Sequence, residues 1–144
     1  MSIKINTKSE KETYLLGKKI AKKLKGGEVL ALAGNLGAGK TIFTKGLAAG
    51  LGVKQIITSP TFVIMKVYKI KNQKSAIKNF IHIDCYRVGD PDSIEAIGAL
   101  EYFGQKETVV LIEWAEKIKH ILPKKTIKIK IVIKGANKRI INFN

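Results

Sequence analysis

Residues 34–41 read Gly34-Asn35-Leu36-Gly37-Ala38-Gly39-Lys40-Thr41: a glycine, four free positions, then Gly-Lys-Thr. That spacing suits the shape of a phosphate. Glycines let successive backbone amides turn inward around a β-phosphate, the lysine reaches the β and γ oxygens, and the threonine hydroxyl can ligate Mg²⁺. Leu36, Gly37, Ala38, Gly39, Lys40 and Thr41 are therefore the candidate nucleotide-binding residues, with Thr41 also a candidate metal ligand.

The flanks supply the context such a loop needs. Upstream, Glu28 to Ala33 is a short apolar run of strand type; downstream, Lys40 to Leu51 reads as a helix with Phe43, Leu47 and Leu51 on one face. A helix beginning at the loop turns the positive end of its dipole toward the ligand. Before the strand, Ser9-Glu10-Lys11-Glu12 has the form of a capping box and predicts a helix to about Lys25, stopped by Gly26-Gly27, with Leu16, Ile20 and Leu24 as its buried stripe. Ile3 to Asn6 precedes it as a short edge strand. Thr7, Ser9 and Thr13 are candidates for contact with a base or ribose, and Ser9 is equally explained by capping.

After the loop helix, a strand running to Val67 or Ile70 and a second over Phe80–Asp84 read as a hairpin across Lys71–Ser75. Asp90-Pro91-Asp92-Ser93 starts a short helix through Ile94 and Ile97, ending near Gly98. Thr108–Glu113 is apolar until its final acid and reads as a buried strand; Trp114–His120 has room for one or two helical turns. Thr126–Ile133 alternates Ile or Val with Lys, and Lys138–Phe143 follows across Gly135-Ala136-Asn137, which predicts a closing antiparallel hairpin.

A phosphate-binding loop needs a carboxylate at the end of a neighbouring strand, to hold the metal or orient the attacking water. Asp84 and Glu113 each close an apolar strand, and at this stage either can take the metal. With Lys40 they form the candidate catalytic set. Ser59-Pro60-Thr61 lies where nucleotide hydrolases keep a segment that senses the γ-phosphate, while a rigid proline turn explains it equally. Arg87 either neutralises developing charge or pairs with Asp90. His82, inside a strand, reads as a satisfied core histidine. Together these features predict an α/β chain of the P-loop NTPase fold: three layers, with a mixed, mostly parallel central sheet carrying antiparallel hairpins, in a single domain over 1–144.

Composition narrows the partners. Hydrophobic residues make up 45% and charged residues 26% of the chain, which excludes wholesale disorder. One cysteine, Cys85, excludes an internal disulfide, and with two histidines it leaves too few soft ligands for structural zinc. The apolar runs fall short of a membrane span and the start Met1-Ser2-Ile3-Lys4 lacks a secretory core, so the expectation is a soluble, cytoplasmic protein. The net charge of +16 rests on lysines, with Arg87 and Arg139 the only arginines. Base-edge and bidentate phosphate recognition favour arginine, so the charge suits a diffuse field toward an RNA-containing assembly better than specific reading of nucleic acid.

The loop, Thr58-Ser59-Pro60-Thr61-Phe62, His82-Ile83-Asp84-Cys85-Tyr86-Arg87 with Asp90-Pro91, and Ile112-Glu113-Trp114 resemble, in order and spacing, the signature series of the TsaE family. The resemblance spans the whole chain and implies a small bacterial ATPase required for threonylcarbamoyladenosine in tRNA. It implies ATP and Mg²⁺ as cofactors and TsaD and TsaB as partners, with contact to tRNA itself at most indirect or weak. It also implies that hydrolysis resets the transferase assembly. By position, residues 37–41 would bind phosphates, Thr41 and Glu113 would hold Mg²⁺, and Asp84 would sit at the nucleotide. Ser59 and Thr61 would form the switch-like segment, and Trp114 would support the site. Asn35, Ile42 and Cys85 depart from the family pattern without removing a phosphate or metal ligand.

Other classes fit less well. Asn137-Lys138-Arg139-Ile140 lacks the aspartate of a guanine-recognition motif, so adenine is favoured. A small-molecule kinase sharing the loop is the alternative reading, but it needs a lid and several arginines. A module that holds ATP without useful turnover is the third class, against which Asp84 and Glu113 speak for hydrolysis. The expected activity is hydrolysis that is weak alone and stimulated by partners.

Overall fold

Among the described residues seven strands join in one mixed sheet whose four central strands run parallel and whose edge strands are antiparallel. The computed structural model describes residues 2–35, 37–58, 64–90, 92–96 and 98–144. The strands are β1 (Ile3–Thr7), β2 (Val29–Ala33), β3 (Met65–Lys69), β4 (Asn79–Asp84), β5 (Thr108–Glu113), β6 (Ile127–Ile133) and β7 (Arg139–Phe143), and their spatial order is β1-β7-β6-β2-β5-β4-β3. β2 pairs in parallel with β5 and β6, and β4 with β5; β1–β7, β6–β7 and β3–β4 are antiparallel. The carboxyl ends of β2, β4 and β5 therefore share one edge of the sheet, where ligands of open α/β sheets bind.

Alternation along each strand divides the apolar residues between two faces. Phe80, Val109, Leu111, Ile129 and Ile131 pack with Phe43, Leu47 and Leu51 on one face. On the other, Ile81, Ile83, Val110 and Ile112 pack with Ile94, Ala99 and Ile118. β5 is buried along its whole length, as its unbroken β-branched and leucine run requires.

Helix α1 (Glu10–Ala21) starts as a capping box does: the Glu12 amide donates to Ser9 Oγ (3.1 Å), and the Glu12 carboxylate accepts from the Lys8 amide (3.3 Å). It ends four residues before the expected Lys25, because the amides of Lys25 and Gly26 both donate to Glu28 (2.8 Å each) and draw the chain out of the helix. Helix α2 (Lys40–Leu51) has the expected bounds, and its stripe of Phe43, Leu47 and Leu51 is buried.

α1 and α2 touch backbone to backbone. A Cβ on Gly46 would lie 2.0 Å from the Tyr14 carbonyl oxygen, and one on Gly17 2.4 Å from that of Phe43. Helix α3 (Asp92–Ala96) is one short turn followed by 3₁₀ turns over Ala99–Tyr102; Pro91 and Ile97, expected in this element, lie outside the described residues. Residues Ala115–Ile121 form further 3₁₀ turns.

Candidate functional site

The glycine loop joins β2 to α2 at the carboxyl edge of the sheet. Gly37 and Gly39 hold φ of +80° and +101°, a region L side chains rarely adopt. At Gly39 space matters as well: a Cβ there would meet Arg139 Nε at 2.6 Å. Among the described residues no side chain caps α2 at Gly39, so its first amides are left for a ligand. Leu36, expected in this loop, and Ser59 and Thr61 of the switch-like segment lie outside the described residues.

A cleft of about 460 Å³ opens above the loop, lined by Gly37, Gly39, Lys40, Thr41, Asp84 and Glu113, with Arg87, Trp114 and Arg139 at its walls. Asp84 and Glu113 are register partners on parallel β4 and β5. Because strand side chains alternate, both face the α2 side, as do Phe80, four residues before Asp84, and Leu111, two residues before Glu113. Asp84 is half-buried and accepts a hydrogen bond from the Tyr86 amide (2.9 Å). Glu113 is buried, with its Oε2 2.8 Å from His82 Nε2. The structure thus brings Gly37, Gly39, Lys40, Thr41, Asp84 and Glu113 together; buried Ala38 belongs to the same loop.

Lys40 is itself buried, and its ammonium sits 4.8 Å from the centre of the Trp114 ring. Trp114 adopts φ +58°, a strained conformation for a bulky side chain. Tyr86 packs against it at 5.0 Å, and Lys117 covers Tyr86 while donating to its carbonyl. Beside this site, burial, with the neighbouring Asp84 and Glu116 carboxylates, pushes the Cys85 thiol up to about 12 from 9.0.

Two residues exceed what the sequence indicated. Arg139 reaches the loop from β7, donating from Nε to the Ala38 carbonyl (2.8 Å) and from Nη1 to that of Asn137 (3.2 Å), so Arg87 is not the sole arginine at the cleft. Its only sequence signal is the rarity of arginine in this chain. His82 is a core histidine, yet only half satisfied: among the described residues its buried Nδ1 has no partner. Its position two residues before Asp84, hence on the same face, was the available clue. By contrast, Thr7, Ser9 and Thr13 are engaged at the β1–α1 junction, where Thr7 and Thr13 share a buried hydrogen bond of 2.8 Å.

The family model for threonylcarbamoyl adenosine biosynthesis protein TsaE matches residues 7–141. The TsaE protein of Bacillus subtilis (strain 168) is 41% identical over 141 residues, covering 98% of this chain and 84% of that protein. The TsaE protein of Aquifex aeolicus (strain VF5) is 44% identical over 113 residues, 77% of this chain and 75% of that one. The crystal structure of Bacillus subtilis YdiB superposes with a TM-score of 0.78 at 38% identity, covering 99% of this chain and 84% of that one. With a family model spanning nearly its whole length and relatives of this identity, the chain belongs to the TsaE family, whose members take part in tRNA threonylcarbamoyladenosine biosynthesis.

Proposed function

We propose that this chain is a Mg²⁺-dependent ATPase of the P-loop NTPase fold, a single domain over 1–144. In this reading it serves threonylcarbamoyladenosine modification of tRNA in the cytoplasm, together with TsaD and TsaB. The observation that carries the reading is the convergence of loop glycines, Lys40, Thr41, Asp84 and Glu113, from three separate segments, on one cleft. Among the described residues no helix is long and apolar enough to cross a membrane.

The donor set fits magnesium. Hydroxyl and carboxylate oxygens are hard ligands, and Mg²⁺ usually takes one or two carboxylates together with substrate phosphates. Thr41 and Glu113 would hold it, and the ion would supply neutralisation of the negative charge on the nucleotide's phosphates. The described residues contain no group of three or more His, Cys, Asp or Glu able to cage a metal, which suits an ion held jointly with the nucleotide.

In this scheme the loop amides and Lys40 bind the phosphates, and Lys40 leaves the Trp114 ring to do so. Asp84, at the neighbouring strand end, orients the attacking water. Arg87 and Arg139 add positive charge where negative charge develops. Arg139 already spends hydrogen bonds on backbone carbonyls. A further arginine supplied by a partner can be worth about 10³–10⁵ in rate, so hydrolysis is slow alone and accelerated by TsaD and TsaB. The positive field of the lysines draws the chain toward the tRNA-containing assembly, with direct tRNA contact indirect or weak.

Turnover of ATP by the chain alone and with TsaD and TsaB tests this. Slow hydrolysis that rises with the partners is expected. Lys40→Ala should lose nucleotide binding, whereas Glu113→Ala should retain it and lose Mg²⁺-dependent hydrolysis. Equal, fast hydrolysis in both settings would overturn partner gating, and full activity in Glu113→Ala would move the metal role to Asp84.

A further inference from the structure

The buried carboxylate of Glu113 has one neighbour that the scheme above does not use. His82 lies on β4, diagonal to Glu113 on β5, and its Nε2 is 2.8 Å from Glu113 Oε2. His82 is 2% exposed and Glu113 8%. A carboxylate so deeply buried requires hydrogen bonds, and a half-fixed one would rotate about its last torsion. Among the described residues the hydrogen bond given to the Glu113 carboxylate is the one from His82 to Oε2, so the histidine constrains that oxygen and, through it, the carboxylate plane.

The histidine ring is itself held. Tyr68, Phe80 and His82 form a stack across β3 and β4, with centroid separations of 6.0 Å and 6.3 Å and interplanar angles of 29° and 23°. The hydrogen-bond pattern also fixes the tautomer. A ring carrying its proton on Nε2 donates to Glu113 and leaves only a bare lone pair at the buried Nδ1, which has no partner among the described residues. With the proton on Nδ1 instead, a buried N–H would be orphaned and two lone pairs would face each other across 2.8 Å.

Resting on the reading of Glu113 as the metal-side carboxylate, we infer that His82 is a positioning residue: its stacked, Nε2-protonated ring clamps Glu113 Oε2 and thereby turns Oε1 toward the phosphate loop. It touches neither nucleotide nor reacting atoms. Its effect on turnover passes entirely through the orientation of one carboxylate, as with the outer partners of metal ligands in general.

Two measurements decide it. In nucleotide-free protein labelled with ¹⁵N-histidine, with His120→Gln to assign the signals, His82 should show a protonated Nε2 and a bare Nδ1; the opposite tautomer overturns the inference. In kinetics with TsaD and TsaB, His82→Leu should bind ATP in EDTA as the wild type does. Its kcat should fall about 10–100-fold, with more Mg²⁺ needed for half-maximal rate. His82→Gln, whose amide nitrogen takes the place of Nε2, should recover most of the rate, and His82→Asn, whose amide is too short, should not. Equal kcat in the Gln and Asn variants, or wild-type kcat in a folded Leu variant, overturns the inference; the Gln–Asn comparison decides alone if the Leu variant fails to fold. Should the wild type hydrolyse nothing, the ATPase reading fails, while the tautomer and the Mg²⁺ dependence of nucleotide affinity still judge His82.

Discussion

Arg139 and Ala38, 101 residues apart in sequence, are joined by a hydrogen bond of 2.8 Å from the arginine Nε–H to the alanine carbonyl. It ties the last strand to the middle of the glycine loop and restrains the loop's shape. Charge-assisted bonds from a buried guanidinium are among the stronger ones available to a protein.

Arg139→Ala should therefore cost about 1.5–3 kcal/mol in chemical denaturation, the range for hydrogen bonds to charged groups, and also weaken nucleotide binding. Arg139→Lys should rescue neither, since a single ammonium cannot reproduce a fork that spans the carbonyls of Ala38 and Asn137. Calorimetric titration with a non-hydrolysable ATP analogue is the check. Wild-type affinity in both variants would mean the loop holds its shape without the tie.

Gly46→Ala should destabilise the fold by about 1–3 kcal/mol or more, as overpacking does. The added methyl would sit 2.0 Å from the Tyr14 backbone, which is carbonyl rather than a flexible side-chain end. Urea unfolding measures it. A stability unchanged from wild type would show that α1 and α2 can part without cost.

Trp114 is the chain's single tryptophan, which makes it a private reporter. Because the Lys40 ammonium lies 4.8 Å from its ring centre, drawing Lys40 to a phosphate must change the ring's electrostatic surroundings. Intrinsic fluorescence should change on addition of ATP and, with Lys40→Ala, should already differ without nucleotide. A signal insensitive both to nucleotide and to that substitution would refute the contact.

The buried Cys85 thiol gives a pH signature. Its pKa is raised on folding from 9.0 to about 12, so the folded state holds the proton that the unfolded chain gives up. Between those values the unfolded state binds fewer protons and stability must fall with rising pH; below 9.0 the group has no effect. Cys85→Ala should flatten that alkaline decline in thermal melts taken across the window, and native protein at neutral pH should resist alkylation. Identical alkaline profiles for the two proteins would contradict the burial.

The glycine loop, its strand and its helix were legible in the sequence because local rules decide them. Glycine at positive φ, an apolar run and a stripe at helical spacing suffice to place α2 over Lys40–Leu51. β5 was legible for the same reason, and the two strand-terminal acids do share the cleft. What escaped was decided by tertiary pairing. Nothing local says that β6 lies parallel beside β2, or that β7 then carries Arg139 to the loop. The early end of α1 escaped because Glu28, beyond the glycine pair, captures two amides that the helical pattern had assigned to itself. His82 was read by residue type, and its bond to Glu113 depends on a register between strands that no single segment encodes.

The close seating of Gly46 on Tyr14 and of Gly17 on Phe43 gives the helix that follows the glycine loop an anvil. With no side chain between them to act as a cushion, α1 and α2 have little room to slide or splay by small steps and would shift as one block. The opposite wall of the cleft is built of side chains instead, the strained Trp114 with Tyr86 tilted against it, so that aromatic wall is the side with torsions left to adjust.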